Sequence, residues 1–157
     1  MQSRTLVPTA LAVAVTAAAG SIASKPAVES DWYATLRKPP YQPPALAFPI
    51  AWTSLYTDIA VVSAATLDEA PPAVRRSYIR ALTLNLVLNG SWSWLFFNRR
   101  KLGASAVAAG VLTASSADLT RRAAAVRGAK AAPLGLYPLW CAFATALSTH
   151  IWVLNRR

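Results

Sequence analysis

The chain is poor in the residues that soluble chemistry draws on. Its 157 residues include six acids, one histidine, one cysteine and one methionine. A lone cysteine, Cys141, excludes an intrachain disulfide framework. There is no nucleophile elbow, Gly-rich phosphate loop, HExxH or CxxC pattern, so ordinary acid–base or metal catalysis is not expected, and no catalytic residue and no metal ligand is assigned. Cys141 and His150 are nine residues apart on one predicted helix, off a common face, which speaks against joint ligation of a haem iron. Eleven prolines and six glycines are too few for a disordered or fibrous chain.

Apolar residues dominate instead, at 55% hydrophobic against 14% charged, with a mean hydropathy of +0.35. Thr5 to Ser24 carries no charge, Pro44 to Leu67 only Asp58, and Ala81 to Asn98 none. Leu102 to Ala117 and Ala131 to Thr149 are likewise uncharged. Crossing a hydrocarbon core takes roughly 20 helical residues, and the runs are apolar on every face rather than alternating as barrel strands do. The fold class expected is all-α integral membrane, a five-transmembrane-helix bundle in a single domain over 1–157. Its helices are expected at about 5–24, 44–67, 79–98, 102–120 and 133–154. The first run could also be a cleaved signal peptide, but its length and the spans that follow favour a retained helix.

The net charge of +10 would suggest nucleic acid in a soluble protein. Here the basic residues flank the apolar runs, so lipid headgroups are the expected counterpart and no nucleic-acid partner is expected. Five spans put eight Lys/Arg on each side, and the positive-inside rule gives no orientation. Ala10, Ala14 and Ala18, and again Ala106 and Gly110, lie at four-residue spacing; they read equally as close helix contacts or as lipid-facing filler.

Four prolines, Pro39, Pro40, Pro43 and Pro44, interrupt any helix in the first loop and stiffen it. The loop 25–43, with Trp32, Tyr33 and Tyr41, is expected to be an ordered lid, its aromatics at interface depth. In the third run Asn85, Asn89 and Trp92 share a helical face, and amides in hydrocarbon must find partners. For Asn85 a helix-to-helix bond and a pocket weigh alike; Asn89, beside a tryptophan, points to a pocket. Tyr137, Trp140 and Ala144 share a face of the fifth run, and tryptophans from runs two, three and five could wall a site for a flat apolar ligand. A tryptophan-rich core is the plainer alternative. Asp58 is the one acid deep in a run and is expected to be protonated or bonded to neighbouring hydroxyls. His150 is expected at the interface.

Three motifs then stand in order. Trp32-Tyr33-x-x-Leu36-x-Lys38-Pro39-x-Tyr41-x-Pro43-Pro44 runs on to Phe48, Trp52 and Leu55-Tyr56; Leu88-Asn89-x-x-Trp92-Ser93-x-x-Phe96-Phe97 follows; Leu136-Tyr137-x-x-Trp140-x-x-Phe143-Ala144-Thr145-x-Leu147 closes the series. Together they resemble the tryptophan-rich sensory or translocator protein (TspO/MBR) family, over nearly the whole chain. The resemblance implies a five-helix membrane bundle, usually a homodimer, with a pocket under the first loop for porphyrins such as protoporphyrin IX and haem. It implies that Tyr33, Trp52, Asn89, Trp140 and Ala144 line that pocket, with no required cofactor. The function so implied is a tetrapyrrole-binding sensor or regulator, multi-pass in a membrane, a bacterial cell membrane being expected. Light- and oxygen-dependent porphyrin degradation, or transport of porphyrins or small lipophiles, are the alternatives. The chain departs from the family pattern at Tyr41, usually tryptophan, around Asp58, and at Ser148-Thr149, where a sterol-recognition pattern is absent; cholesterol binding is not expected.

Overall fold

The computed structural model describes residues 2–157, which leaves Met1 of the expected domain outside the described residues. Five long helices account for most of the chain, and no strand occurs among the described residues. They are α1 (Ser3–Val28), α3 (Ala47–Glu69), α4 (Pro72–Ser93), α5 (Leu102–Arg127) and α6 (Leu136–Asn155), with a short α2 (Asp31–Thr35) after α1. A π-helical turn, Trp94–Asn98, ends α4, and a 3₁₀ segment, Gly128–Gly135, joins α5 to α6.

The first, third and fourth long helices reach past the apolar runs that foretold them, because hydropathy marks the part suited to lipid and not the place where backbone hydrogen bonding stops; α3 instead starts at Ala47 rather than 44 and α6 at Leu136 rather than 133, where proline-rich loop and 3₁₀ backbone precede them. The first extends past 24 through Lys25 and Pro26 to Val28, so the expected loop 25–43 begins as helix. The third starts at Pro72, seven residues before the expected 79, with proline in the first turn where a missing N–H costs nothing. It takes in Arg75, Arg76 and Arg80. The fourth continues beyond 120 to Arg127 and stops at Gly128, whose φ of 58° suits glycine.

By length and composition three stretches could cross a membrane: Ser3–Val28, Ala47–Glu69 and Leu102–Asn155, the last containing both α5 and α6. Large apolar side chains cover the outside of the bundle, among them Leu11, Val15 and Ile22 on α1, Val107 on α5 and Leu139 on α6, all more than 60% exposed. Polar groups lie inside. Thr9, Ser63, Thr66, Ser105 and Ser116 are buried, and their hydroxyls bond to carbonyls of the preceding turn or, for Ser63, to the Tyr78 hydroxyl. That inversion, apolar outside and satisfied polar groups within, is how a helix bundle meets lipid.

Backbones pack closely between α5 and α6, α4 and α5, α1 and α3, and α1 and α4. Small residues permit this. A Cβ on Gly103 would lie 3.0 Å from the Trp152 indole nitrogen, and one on Gly110 would touch Thr145, so α5 meets α6 through both. Ala106 is buried in the same interface, whereas Ala14 and Ala18 are exposed; on α1 the inward stripe is Thr5, Thr9, Val13, Gly20, Ala23 and Ala27. No comparable packing joins α3 to α6. Aromatic side chains bridge that gap, and within it lies the cavity.

Candidate ligand cavity

A cavity of about 470 Å³ opens beneath the first loop, within the range of small-molecule sites. Helix α1 gives it a wall of small residues, Ala17, Gly20, Ser21 and Ser24, with Lys25 and Glu29 at the mouth. From α3 come Phe48, Trp52 and Tyr56; from α4 and its π turn, Trp92, Ser93, Phe96 and Phe97; from α6, Trp140, Ala144, Leu147, Ser148 and Ile151. Tyr33 and Gln42 close it from the lid.

The aromatic wall is ordered by its own contacts. Trp52 stacks on Tyr56 at 5.4 Å and meets Tyr137 edge-on at 6.5 Å, while Trp140 stands edge-on to Phe48 at 5.9 Å. Such pairs are worth about 0.5–1.5 kcal/mol each beyond their burial. The π turn decides the opposite wall. Arg99 N–H donates to the Trp94 carbonyl five residues back, and the wider turn brings the adjacent Phe96 and Phe97 onto the cavity together.

Four of the five expected residues, Tyr33, Trp52, Trp140 and Ala144, therefore line one cavity. Asn89 does not reach it. At 2% exposure it sits one layer behind Tyr56, accepting the Tyr56 hydroxyl at 2.9 Å and donating from Nδ2 to the Tyr137 hydroxyl at 2.9 Å. Tyr137 in turn donates to Asn85 Oδ1, and Asn85 Nδ2 to Ser115 Oγ. The chain Tyr56–Asn89–Tyr137–Asn85–Ser115 ties α3, α4, α6 and α5 together below the cavity floor. Both asparagines on the shared face thus bond between helices; Trp92, the third member of that face, is the one that lines the cavity.

The lid is fixed at several points. Asn155 clamps it by a reciprocal pair, accepting Arg37 N–H at 3.0 Å and donating to the Arg37 carbonyl at 2.9 Å. The Tyr41 hydroxyl lies 3.1 Å from His150 Nδ1, and its ring packs edge-on against Phe143. Lys38 Nζ donates to the carbonyls of Tyr33 and Leu36. The Arg100 guanidinium, on a residue held at φ 55°, covers the Trp32 ring at 4.9 Å. Gln42 Nε2 donates to the Tyr33 hydroxyl at 3.2 Å. Burial pushes the Tyr33 phenol above its ordinary pKa of 10.0, with the Gln42 bond working in the opposite direction.

Asp58 lies apart from the cavity, half-buried on α3. The nearby hydroxyls of Ser54 and Thr57 bond to the carbonyls of Ile50 and Thr53, so the expected hydroxyl bonds to Asp58 are not formed. Sequence reasoning did not assign the α1 wall, although Ala17, Gly20, Ser21 and Ser24 follow helical three- and four-residue spacing and are all small, a signal that was there to be read. Nor could it foresee the π turn, which alters the register of Phe96 and Phe97 without a marker in the sequence.

The model of the TspO/MBR family matches residues 8–153. The chain belongs to that family. It is 32% identical over 154 residues to the tryptophan-rich protein TspO of Archaeoglobus fulgidus, covering 96% of each chain. To the translocator protein of Ovis aries it is 34% identical over 130 residues, 80% of this chain and 75% of that one. The tryptophan-rich sensory protein of Cereibacter sphaeroides shares 32% over a shorter stretch of 74 residues, 46% of this chain and 44% of that one. Family membership and the apolar exterior together make this TspO-type chain an integral membrane protein.

Proposed function

We propose that this protein is a tetrapyrrole-binding membrane sensor or regulator that crosses the membrane five times. The observation that carries the reading is the aromatic cavity between α3 and α6 under a clamped lid, with Trp52 and Trp140 on its walls. A flat macrocycle gains most from such walls, since ring faces stack and no interior charge has to be neutralised. Tyr33 covers the ligand from above, and Ala144 leaves room on α6. Asn89 acts at one remove, by holding Tyr56. The sensory name of the Cereibacter sphaeroides relative supports a signalling role. Protoporphyrin IX or haem is the proposed ligand, lipid the surroundings, a bacterial cell membrane the location and a second copy of the chain the partner.

The test is a protoporphyrin IX titration of the purified protein in detergent, read by tryptophan quenching against empty micelles. Saturable binding is expected, weakened about tenfold by Trp52→Ala or Trp140→Ala, in keeping with one lost stacking contact. Equal affinity in wild type and both variants removes the cavity from the reading. A second reading, light- and oxygen-dependent breakdown of the bound porphyrin, is favoured by three oxidisable tryptophans, Trp52, Trp92 and Trp140, on a single cavity. It predicts a new absorbing product under illumination that the same variants lose.

A further inference from the structure

Helices α1 and α4 leave an open groove of about 620 Å³ between them on the outside of the bundle, sharing no lining residue with the aromatic cavity. Leu11, Val15 and Ala19 form one wall and Val87, Gly90 and Trp94 the other. The hydroxyls within it are already engaged: Thr16, Thr83 and Ser91 each donate to a carbonyl one turn back, those of Ala12, Ile79 and Val87. What remains for an occupant is chiefly apolar contact. Along α4 the groove runs from Thr83 to Trp94, about 16 Å by helical rise and comparable with the roughly 15 Å of one leaflet's hydrocarbon.

One end of the groove is basic. On α4, Arg76 and Arg80 lead into Thr83, Val87, Gly90 and Trp94 by alternating four- and three-residue steps, so both arginines continue the groove's stripe. On α1, Arg4 stands two turns before Leu11 on the same side. The two helices run in the same direction, since the start of α1 bonds to Asp68 at the end of α3 and α4 begins just beyond it. A Cβ on Gly20 would lie 3.3 Å from Ser93 Oγ; sixteen residues back from that contact, Arg4 is level with Ser77, between Arg76 and Arg80. All three arginines are exposed, and none forms a salt bridge among the described residues. Neither helix contains an acid, and Asp68 is held by the Gln2 N–H and the Thr5 hydroxyl. Basic residues at the membrane end of an apolar cleft between helices suit an anionic headgroup with its hydrocarbon attached. We infer that this groove binds one anionic phospholipid, its phosphate held by Arg4, Arg76 and Arg80 and one acyl chain laid between α1 and α4. A second copy of the chain suits the face less well, because a twofold contact there would bring two sets of three arginines together with no acid between them. The inference is independent of the tetrapyrrole reading.

Native mass spectrometry of the protein released from an uncharged detergent tests this, because one spectrum counts retained lipids and copies of the chain together. Phosphatidylglycerol is compared with phosphatidylcholine of the same acyl chains, and with glycerol phosphate as the headgroup alone. One phosphatidylglycerol per chain is expected, at a concentration roughly tenfold or more below that needed for phosphatidylcholine, and glycerol phosphate should not be retained. Exchanging Arg4, Arg76 and Arg80 for glutamine should abolish the preference. The same exchange at Arg99, Arg156 and Arg157 gives an equal net charge and should keep it. Gly90→Leu tests the groove itself: a Cβ there meets nothing within 4 Å, so the side chain enters the groove without displacing a neighbour. Phosphatidylglycerol retention should then fall several-fold although every arginine remains. Equal retention of the two lipids by wild type, equal loss in the two triple variants, undiminished retention in Gly90→Leu, or glycerol phosphate held as tightly as the lipid overturns the proposal. So does a wild-type dimer that Gly90→Leu splits into monomers, since a second copy then fills the groove.

Discussion

Tyr56 lines the cavity and Asn89 does not, yet one hydrogen bond makes the first depend on the second. Replacing Asn89 by leucine leaves the hydroxyls of Tyr56 and Tyr137 short of a partner in the bundle interior. Such interhelical bonds are worth about 1 kcal/mol in membrane proteins. Asn89→Leu is therefore expected to lower the melting temperature by several degrees, and to weaken porphyrin binding less than Trp52→Ala does. Affinity lost as steeply as with Trp52→Ala would mean that the amide touches ligand after all. Tyr33 makes a different claim, on pH. Its phenol is held above the ordinary 10.0, so the folded protein keeps that proton where the unfolded chain gives it up. Stability is then full below pH 10 and falls as pH rises beyond it, towards the folded pKa. Thermal melts between pH 9 and 11.5 should show the decline in wild type and a shallower one in Tyr33→Phe. Parallel curves would place the titration elsewhere.

At the scale of elements, the lid answers to two kinds of residue. Its prolines were legible, because a run such as Pro39-Pro40-x-x-Pro43-Pro44 can only be extended or turning. Its fastening was not: Asn155 lies 118 positions from Arg37, and no local pattern announces a bond between them. The same division runs through the site. Trp52, Trp140 and Ala144 could be placed from helical spacing and motif, since a face of aromatics declares itself at three and four residues. Asn89 could be assigned to an inward face but not to a layer, because periodicity gives direction and says nothing of depth. Asn155→Ala removes both halves of the clamp while leaving every lining residue in place. The lid should open more often, so porphyrin dissociation is expected to quicken several-fold with association little changed; stopped-flow traces that match wild type in both phases would show that Tyr41 and Lys38 hold the lid unaided.

At the scale of the whole molecule the two ends share the net charge of +10 almost evenly, and what sets them apart is which charges stand beside the cavity. Eight Lys/Arg flank each end of the bundle, but their surroundings differ. At the end away from the cavity, Arg121 and Arg122 pair with Asp118, and Arg127 with Glu69, while Arg4, Arg75, Arg76, Arg80 and Lys130 form no salt bridge among the described residues. At the mouth end none of Lys25, Arg37, Lys38, Arg99, Arg100, Lys101, Arg156 or Arg157 forms a salt bridge among the described residues, and the acids there are Glu29 and Asp31. Uncompensated charge around a low-dielectric opening focuses the field and draws in ligands of opposite sign, an effect that salt screens within about 10 Å at 0.1 M. An anionic porphyrin should thus associate faster at low ionic strength, in an uncharged detergent, than at high. Exchanging Arg99, Arg156 and Arg157 for glutamine removes three charges from the mouth without touching a lining residue. That variant is expected to associate several-fold more slowly at low salt and to dissociate as wild type does, whereas the equivalent change at Arg75, Arg76 and Lys130 on the far end should leave both rates alone. Equal slowing by the two triple variants would mean that overall charge matters and its placement does not, and the ligand would then have no preferred end from which to enter.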